Sequence, residues 1–122
     1  MLLDSNAIIY SIKPEFDGLR QLITKYNPAI SAISYVEVLG YHKLNAADKE
    51  DFVEFFEASR IISVSQSILE QAVALRQQRR MSLGDSIIAA TALLNGLTLV
   101  TANIADFGWI EKIKLMNPLT EL

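Results

Sequence analysis

From Ser86 to Leu94 the chain runs without a charge, as Ser-Ile-Ile-Ala-Ala-Thr-Ala-Leu-Leu. Wound as a helix, such a run is apolar on nearly every side, and a helix of that kind is stable only when other elements cover it all round. It must therefore be central, packed inside a layered fold. The segments around it alternate between short strand-like runs and longer helical ones. Strands are expected at about Met1–Leu3, Ala29–Ile33, Arg60–Val64 and Thr98–Thr101, with a short edge strand at Ile113–Met116. Helices are expected through Ala7, Ile8 and Ile9, over Phe16–Ile23, and at Tyr35–His42, Ala47–Ala58, Ser67–Arg80 and Gly84–Leu94, with stops at Pro14, Asn27-Pro28 and Gly96. Strict alternation of this kind predicts an α/β class with a mostly parallel, twisted sheet of four to five strands and helices on both faces.

A chain of 122 residues is one domain, 1–122, and 51% hydrophobic against 20% charged residues makes it a folded globular unit with a single core. With no cysteine there is no disulfide, thiolate zinc site or cysteine nucleophile, and with one histidine, His42, a multi-histidine metal site is impossible. Any metal must be held by oxygen. No apolar run approaches the roughly 18–20 residues needed to span a bilayer, and Asp4 interrupts the N-terminus before a signal-peptide core, so a cytoplasmic protein without membrane attachment is expected. A net charge of −3 argues against a module that grips nucleic acid by bulk charge, but not against an enzyme whose acidic pocket recruits cations.

Asp4, Glu37 and Asp85 each sit where a hydrophobic stretch meets a helix start. A fourth polar group, Asn103 or Asp106, follows the strand ending at Thr101. In an open parallel sheet, ligands gather beyond the carboxyl ends of the strands, where Asp4, Glu37 and the 103–106 segment fall. Asp85 joins them only if the apolar helix points its N-terminus at the same edge. Carboxylates about 5 Å apart repel by roughly 3 kcal/mol per pair at an effective dielectric near 20, so such a cluster persists only with protons or cations, and Mg²⁺ or Mn²⁺ is the natural counterion. Each acid also has a structural explanation: Asp4 as a simple N-cap, Ser34-x-x-Glu37 and Ser82-x-x-Asp85 as helix starts resembling capping boxes.

Four stretches carry a family resemblance: Leu3-Asp4-Ser5-Asn6, Ser34-Tyr-Val-Glu37-Val-Leu, Leu83-Gly84-Asp85-Ser-Ile-Ile-Ala-Ala-Thr-Ala, and Leu99-Val100-Thr101-Ala-Asn103-Ile-Ala-Asp106-Phe107. In order, over nearly the whole chain, they resemble the signature stretches of the PIN domain and, more closely, of VapC-type toxins. The resemblance implies a three-layer sandwich and a Mg²⁺- or Mn²⁺-dependent endoribonuclease of a type II toxin–antitoxin pair, acting on RNA, held by a cognate antitoxin protein and forming a homodimer. Asp4, Glu37 and Asp85 match the three core acids, and Asp106 is the fourth acidic contributor in an Asn-x-x-Asp-Phe form. Many relatives carry an aspartate where Asn103 stands, and a basic residue often found at the position of Ala102 is missing.

Asn6, Ser34 and Thr101 are candidates for hydrogen bonds that position the acids, or for capping their own helix or strand ends. Arg76, Arg79 and Arg80 precede Asp85 and stand either against RNA phosphates or at a solvated helix end. His42 has no catalytic partner in the sequence. Phe52, Phe55 and Phe56 form core or a groove for an antitoxin helix, and Trp109 belongs to core or a subunit contact. Two other readings are a PIN-like binding module without catalysis and a housekeeping RNA-processing nuclease. A receiver-type phospho-acceptor fits poorly, because Asp4 stands alone and no lysine follows Thr101. An aspartate-nucleophile phosphatase wants a second aspartate at Asn6.

Overall fold

The computed structural model describes residues 1–120. In chain order the elements are Leu2–Leu3 (β1), Ser5–Ser11 (α1), a 3-10 turn at Pro14–Phe16, Asp17–Tyr26 (α2), Ala29–Ser31 (β2), Ala32–Leu39 (α3), Ala46–Glu57 (α4), Ile61–Ile62 (β3), Gln66–Gln78 (α5), Leu83–Asn95 (α6), Thr98–Val100 (β4), Ile104–Phe107 (α7) and Lys114–Met116 (β5). Among the described residues the strands form one five-stranded sheet in the order β3-β2-β1-β4-β5, and every pairing is parallel.

The register explains the layering. Leu2 pairs with Ala29 and Leu99, while Leu3 pairs with Ile30 and Val100. Successive strand residues point to opposite faces, so the first set packs into a core with Ile68, Ala72 and Leu75 of α5, Ile87 to Ala92 of α6, and Phe107. The second set packs with Ala7 and Ile8 of α1, Val38 of α3, and Phe52 and Phe56 of α4. Helices thus cover both faces, which is the expected sandwich. Each fully buried aliphatic side chain contributes roughly 1.5–3 kcal/mol, and that is how strands of two or three residues hold a sheet. Phe52 and Phe56 belong to this core and Phe55 packs against it.

The charge-free helix is as central as its composition requires. Every residue of α6 from Ser86 to Ala92 is buried, and the helix packs against α5, α3, β2 and β4. Ser82 caps it, its Oγ accepting from the Asp85 backbone N–H at 3.1 Å, and Gly96 ends it in the left-handed region at φ 61.

Two boundaries differ from expectation for local chemical reasons. Helix α3 starts at Ala32, not near Tyr35, because buried Ser31 is the cap, with its Oγ accepting from the Ile33 N–H at 3.3 Å. The strand therefore stops before Ile33, and Ser34 lies inside the helix instead of starting it. Helix α5 ends at Gln78, so Arg79 is extended (φ −161, ψ 150) and neither it nor Arg80 belongs to the last turn. Among the described residues no helix is long and apolar enough to cross a membrane.

Candidate active site

The sheet delivers Asp4 first. It follows β1 directly, its N–H donates to Val100 O at 3.1 Å, and its side chain caps α1 by accepting from the Ala7 N–H at 2.7 Å. The capping explanation is therefore real, and it occupies only Oδ1. The Thr101 hydroxyl, wholly buried at the end of β4, also hydrogen-bonds the Asp4 carboxyl, and Thr101 Oγ1 accepts from the Asn103 N–H at 3.0 Å. Burial pushes the Asp4 carboxyl above the ordinary value of 3.8, the Asp85 and Glu37 charges push the same way, and the Thr101 and Ala7 hydrogen bonds oppose them.

Asp85 arrives from the other side, on the first turn of α6. It is half-buried, and burial raises its pKa, opposed by Ser82 and reinforced by the negative charges of Asp106 and Glu37. Glu37 lies on α3, more than one turn past the Ser31 cap, with an exposed side chain. Its position is set by two neighbours that sequence reasoning passed over. Ser5 Oγ donates to Glu37 Oε1 at 2.7 Å and lies 2.9 Å from the buried Ser34 Oγ. A hydroxyl has one proton and a carboxylate only accepts, so the order that satisfies all three groups is Ser34 donating to Ser5 and Ser5 donating to Glu37. The second neighbour is buried Gly84. A Cβ there would lie 2.7 Å from the Glu37 carboxyl carbon and 2.9 Å from Oε1, closer still to Oε2. Only glycine leaves room for Glu37 to lie against α6, next to Asp85.

Asp106 is exposed on the short α7, close enough to act on Asp85. Asn103 stands at the start of that helix and makes no side-chain capping bond, while its carbonyl accepts from the Asp106 N–H at 3.0 Å. The structure thus brings Glu37 and Asp85 close enough to act on Asp4, and Glu37 and Asp106 close enough to act on Asp85, at one edge of the sheet. Among the described residues, however, no three acids or histidines form a group spaced to hold a metal ion. Of the three supporting residues expected, Thr101 bonds Asp4 and Ser34 reaches Glu37 through Ser5, whereas Asn6 is exposed and its side chain forms no hydrogen bond among the described residues. His42 is exposed and lies edge-on to Tyr41.

An all-parallel sheet with an acidic rim beyond β1, β2 and β4 defines the class. The chain belongs to the PIN domain family, whose model matches residues 1–107. It is similar to Ribonuclease VapC10 of Mycobacterium tuberculosis, 28% identical with 93% of this chain and 90% of the relative covered. Among solved structures it is similar to a chain of a toxin–antitoxin complex from Klebsiella pneumoniae (32% identity, 96% of each chain, TM-score 0.78). It is also similar to a chain of VapBC2 from Rickettsia felis, solved bound to a DNA fragment from their promoter (26% identity, 95% of this chain and 96% of that chain, TM-score 0.81).

Proposed function

We propose that this chain is a Mg²⁺- or Mn²⁺-dependent endoribonuclease and the toxin of a type II toxin–antitoxin pair. The observation that carries the reading is the geometry of the rim, where Asp4 is fixed at the end of β1 and Glu37 lies against Gly84 beside Asp85, with burial and neighbouring carboxylates pushing Asp4 and Asp85 above their ordinary value. Excess negative charge held by oxygen donors alone suits a hard divalent ion. The absence of a three-acid group is compatible with magnesium, which is commonly held by one or two carboxylates with waters and substrate phosphates completing its shell. Asp4 and Asp85 would hold the ion, with Glu37, Asp106 and Asn103 at its margin. Bound there, it would activate a water for attack on a phosphodiester and stabilise the departing oxygen. Thr101 fixes the Asp4 carboxyl, and Ser5 fixes Glu37 where it can orient the attacking water.

Similarity to a chain of a toxin–antitoxin complex supports a cognate antitoxin as partner. An apolar recess of about 360 Å³ between α1 and the α3–α4 region, walled by Ile9, Ile12, Pro14, Val38 and Phe52, offers an antitoxin segment a seat. On the opposite side of the molecule a groove of about 500 Å³ between α5 and α6 exposes Leu69, Val73 and Leu83, a surface suited to the expected homodimer. The deciding experiment is incubation with structured RNA and Mn²⁺, with and without EDTA. Cleavage should need the metal and vanish in Asp4→Asn, and intact RNA at high enzyme and Mn²⁺ would overturn the proposal. The lack of a three-acid group among the described residues favours a second reading, a PIN-domain binding module without catalysis. For that module Mn²⁺ would leave the melting temperature unchanged.

A further inference from the structure

We propose that a recess at the rim of the acidic edge is a subsite for one nucleotide of single-stranded RNA, with Arg79 and Arg80 taking a phosphate and Trp109 taking the neighbouring base. The recess is about 170 Å³, and Arg79, Arg80, Ser82, Asp85, Asp106 and Trp109 stand in its walls. That is below the roughly 300–1,000 Å³ of pockets that enclose a small ligand, so it accepts one group of a larger molecule. The subsite rests on the ribonuclease reading, because Asp85 belongs both to this recess and to the proposed catalytic edge.

The ring and the cations are placed for this use. Trp109 is half-buried, and its Nε1 donates to Asp106 O at 3.0 Å, which fixes the indole beside the acids. The Arg79 guanidinium carbon lies 5.6 Å from the centre of that ring. A guanidinium held over a ring by its charge keeps N–H donors that can take a phosphate. Arg79 and Arg80 are exposed, and among the described residues neither forms an ion pair. No ion pair among the described residues neutralises either charge, Arg79 lying instead over the Trp109 ring, and a phosphate arriving between Asp85 and Asp106 would be repelled without these charges. Arg76 differs, because its Nε donates to Met81 O at 3.3 Å and so tethers the loop. Aromatic faces stack any base, so the recognition is of single-stranded nucleotides without sequence preference.

Trp109 is the chain's sole tryptophan, so its emission reports on the recess directly. In EDTA, the whole protein is titrated with a short single-stranded oligoribonucleotide, following Trp109 emission and, in parallel, the anisotropy of the labelled RNA. Wild type should show a change in emission that saturates with the anisotropy. Arg79→Ala should bind about 10-fold more weakly, with the slope of log affinity against log salt reduced by about 0.7, the loss of one phosphate contact on a single strand. Arg79→Lys should recover the salt slope, and Arg76→Ala should leave it unchanged. In cleavage assays with Mn²⁺, Arg79→Ala should raise KM and leave kcat near wild type. RNA that is cleaved with no change in Trp109 emission, or with the same salt slope in Arg79→Ala, overturns the subsite while the ribonuclease reading stands, whereas RNA that binds with the expected emission and salt slope but stays intact with Mn²⁺ overturns the ribonuclease reading alone. RNA that neither binds nor is cleaved overturns both.

Discussion

Replacing Gly84 by alanine should separate activity from stability at this site. The added Cβ would fall 2.7 Å from the Glu37 carboxyl carbon, so one of the two must move. Gly84 sits on α6, whose following residues are buried, whereas Glu37 ends in an exposed, flexible carboxylate, and it is the carboxylate that yields. Moving it breaks the 2.7 Å hydrogen bond from Ser5, a loss of about 1 kcal/mol for a solvent-accessible bond. Alanine in place of glycine in a helix returns roughly 0.5–1 kcal/mol. The two nearly cancel, so Tm should stay within about 5 °C of wild type. Cleavage of RNA should fall about 10²-fold, the usual consequence of displacing a catalytic group by an ångström or so. The assay pairs a thermal melt with single-turnover cleavage of labelled RNA. A Gly84→Ala protein that cleaves at the wild-type rate would refute the reasoning, because Glu37 would then not need its place against α6. A melting temperature lowered well beyond that margin would refute it from the other side, by showing that the backbone and not the carboxylate absorbs the clash.

Asp4→Asn should raise the metal-free melting temperature near neutral pH, since asparagine keeps the cap to Ala7 and removes a buried charge. The sign follows from linkage: a carboxyl whose folded pKa is raised above 3.8 takes up protons on folding, so wild-type stability falls as pH rises through that interval. The gap between variant and wild type should therefore open above pH 3.8 and close below it, and a gap independent of pH would contradict the raised pKa. Added Mn²⁺ should stabilise wild type and not Asp4→Asn, measured by the same melt. Val73→Glu, at a side chain 57% exposed in the α5–α6 groove, should leave the melt unchanged and shift sedimentation toward the monomer. An unaltered dimer would place self-association elsewhere.

Much of the fold was legible because its signals are local. The charge-free stretch identified the central helix, Gly96 marked its end, and the alternation of strand and helix patterns identified the parallel sheet. The start of α3 differs from expectation because Ser31 and Ser34 are both plausible caps in sequence, and only their partners in the fold, the Ile33 N–H for Ser31 and Ser5 Oγ for Ser34, distinguish them. Asp4, Asp85 and Asp106 could be singled out because each caps a helix or lies in its first turn, a property of the chain, whereas Glu37 lies past the first turn of α3 and was singled out from its Ser-x-x-Glu pattern. Their supports could not be. Ser5 meets Glu37 across 32 residues, Gly84 meets it from another helix, and Arg79 meets Trp109 through the fold. Periodicity carries no information about such crossings. The one available signal was the small residue beside each acid, Ser5 and Gly84, where a close approach is possible.

Asp85 rides at the head of a helix whose next seven residues are all enclosed by the rest of the molecule. A bulkier or smaller side chain at Ile88 or Ala89 would therefore shift the carboxylate as well as loosen the packing. A genetic screen that scores only growth would recover escape alleles along this entire stretch, and a map of those alleles would outline a helix of structural residues as though it were part of the reaction centre.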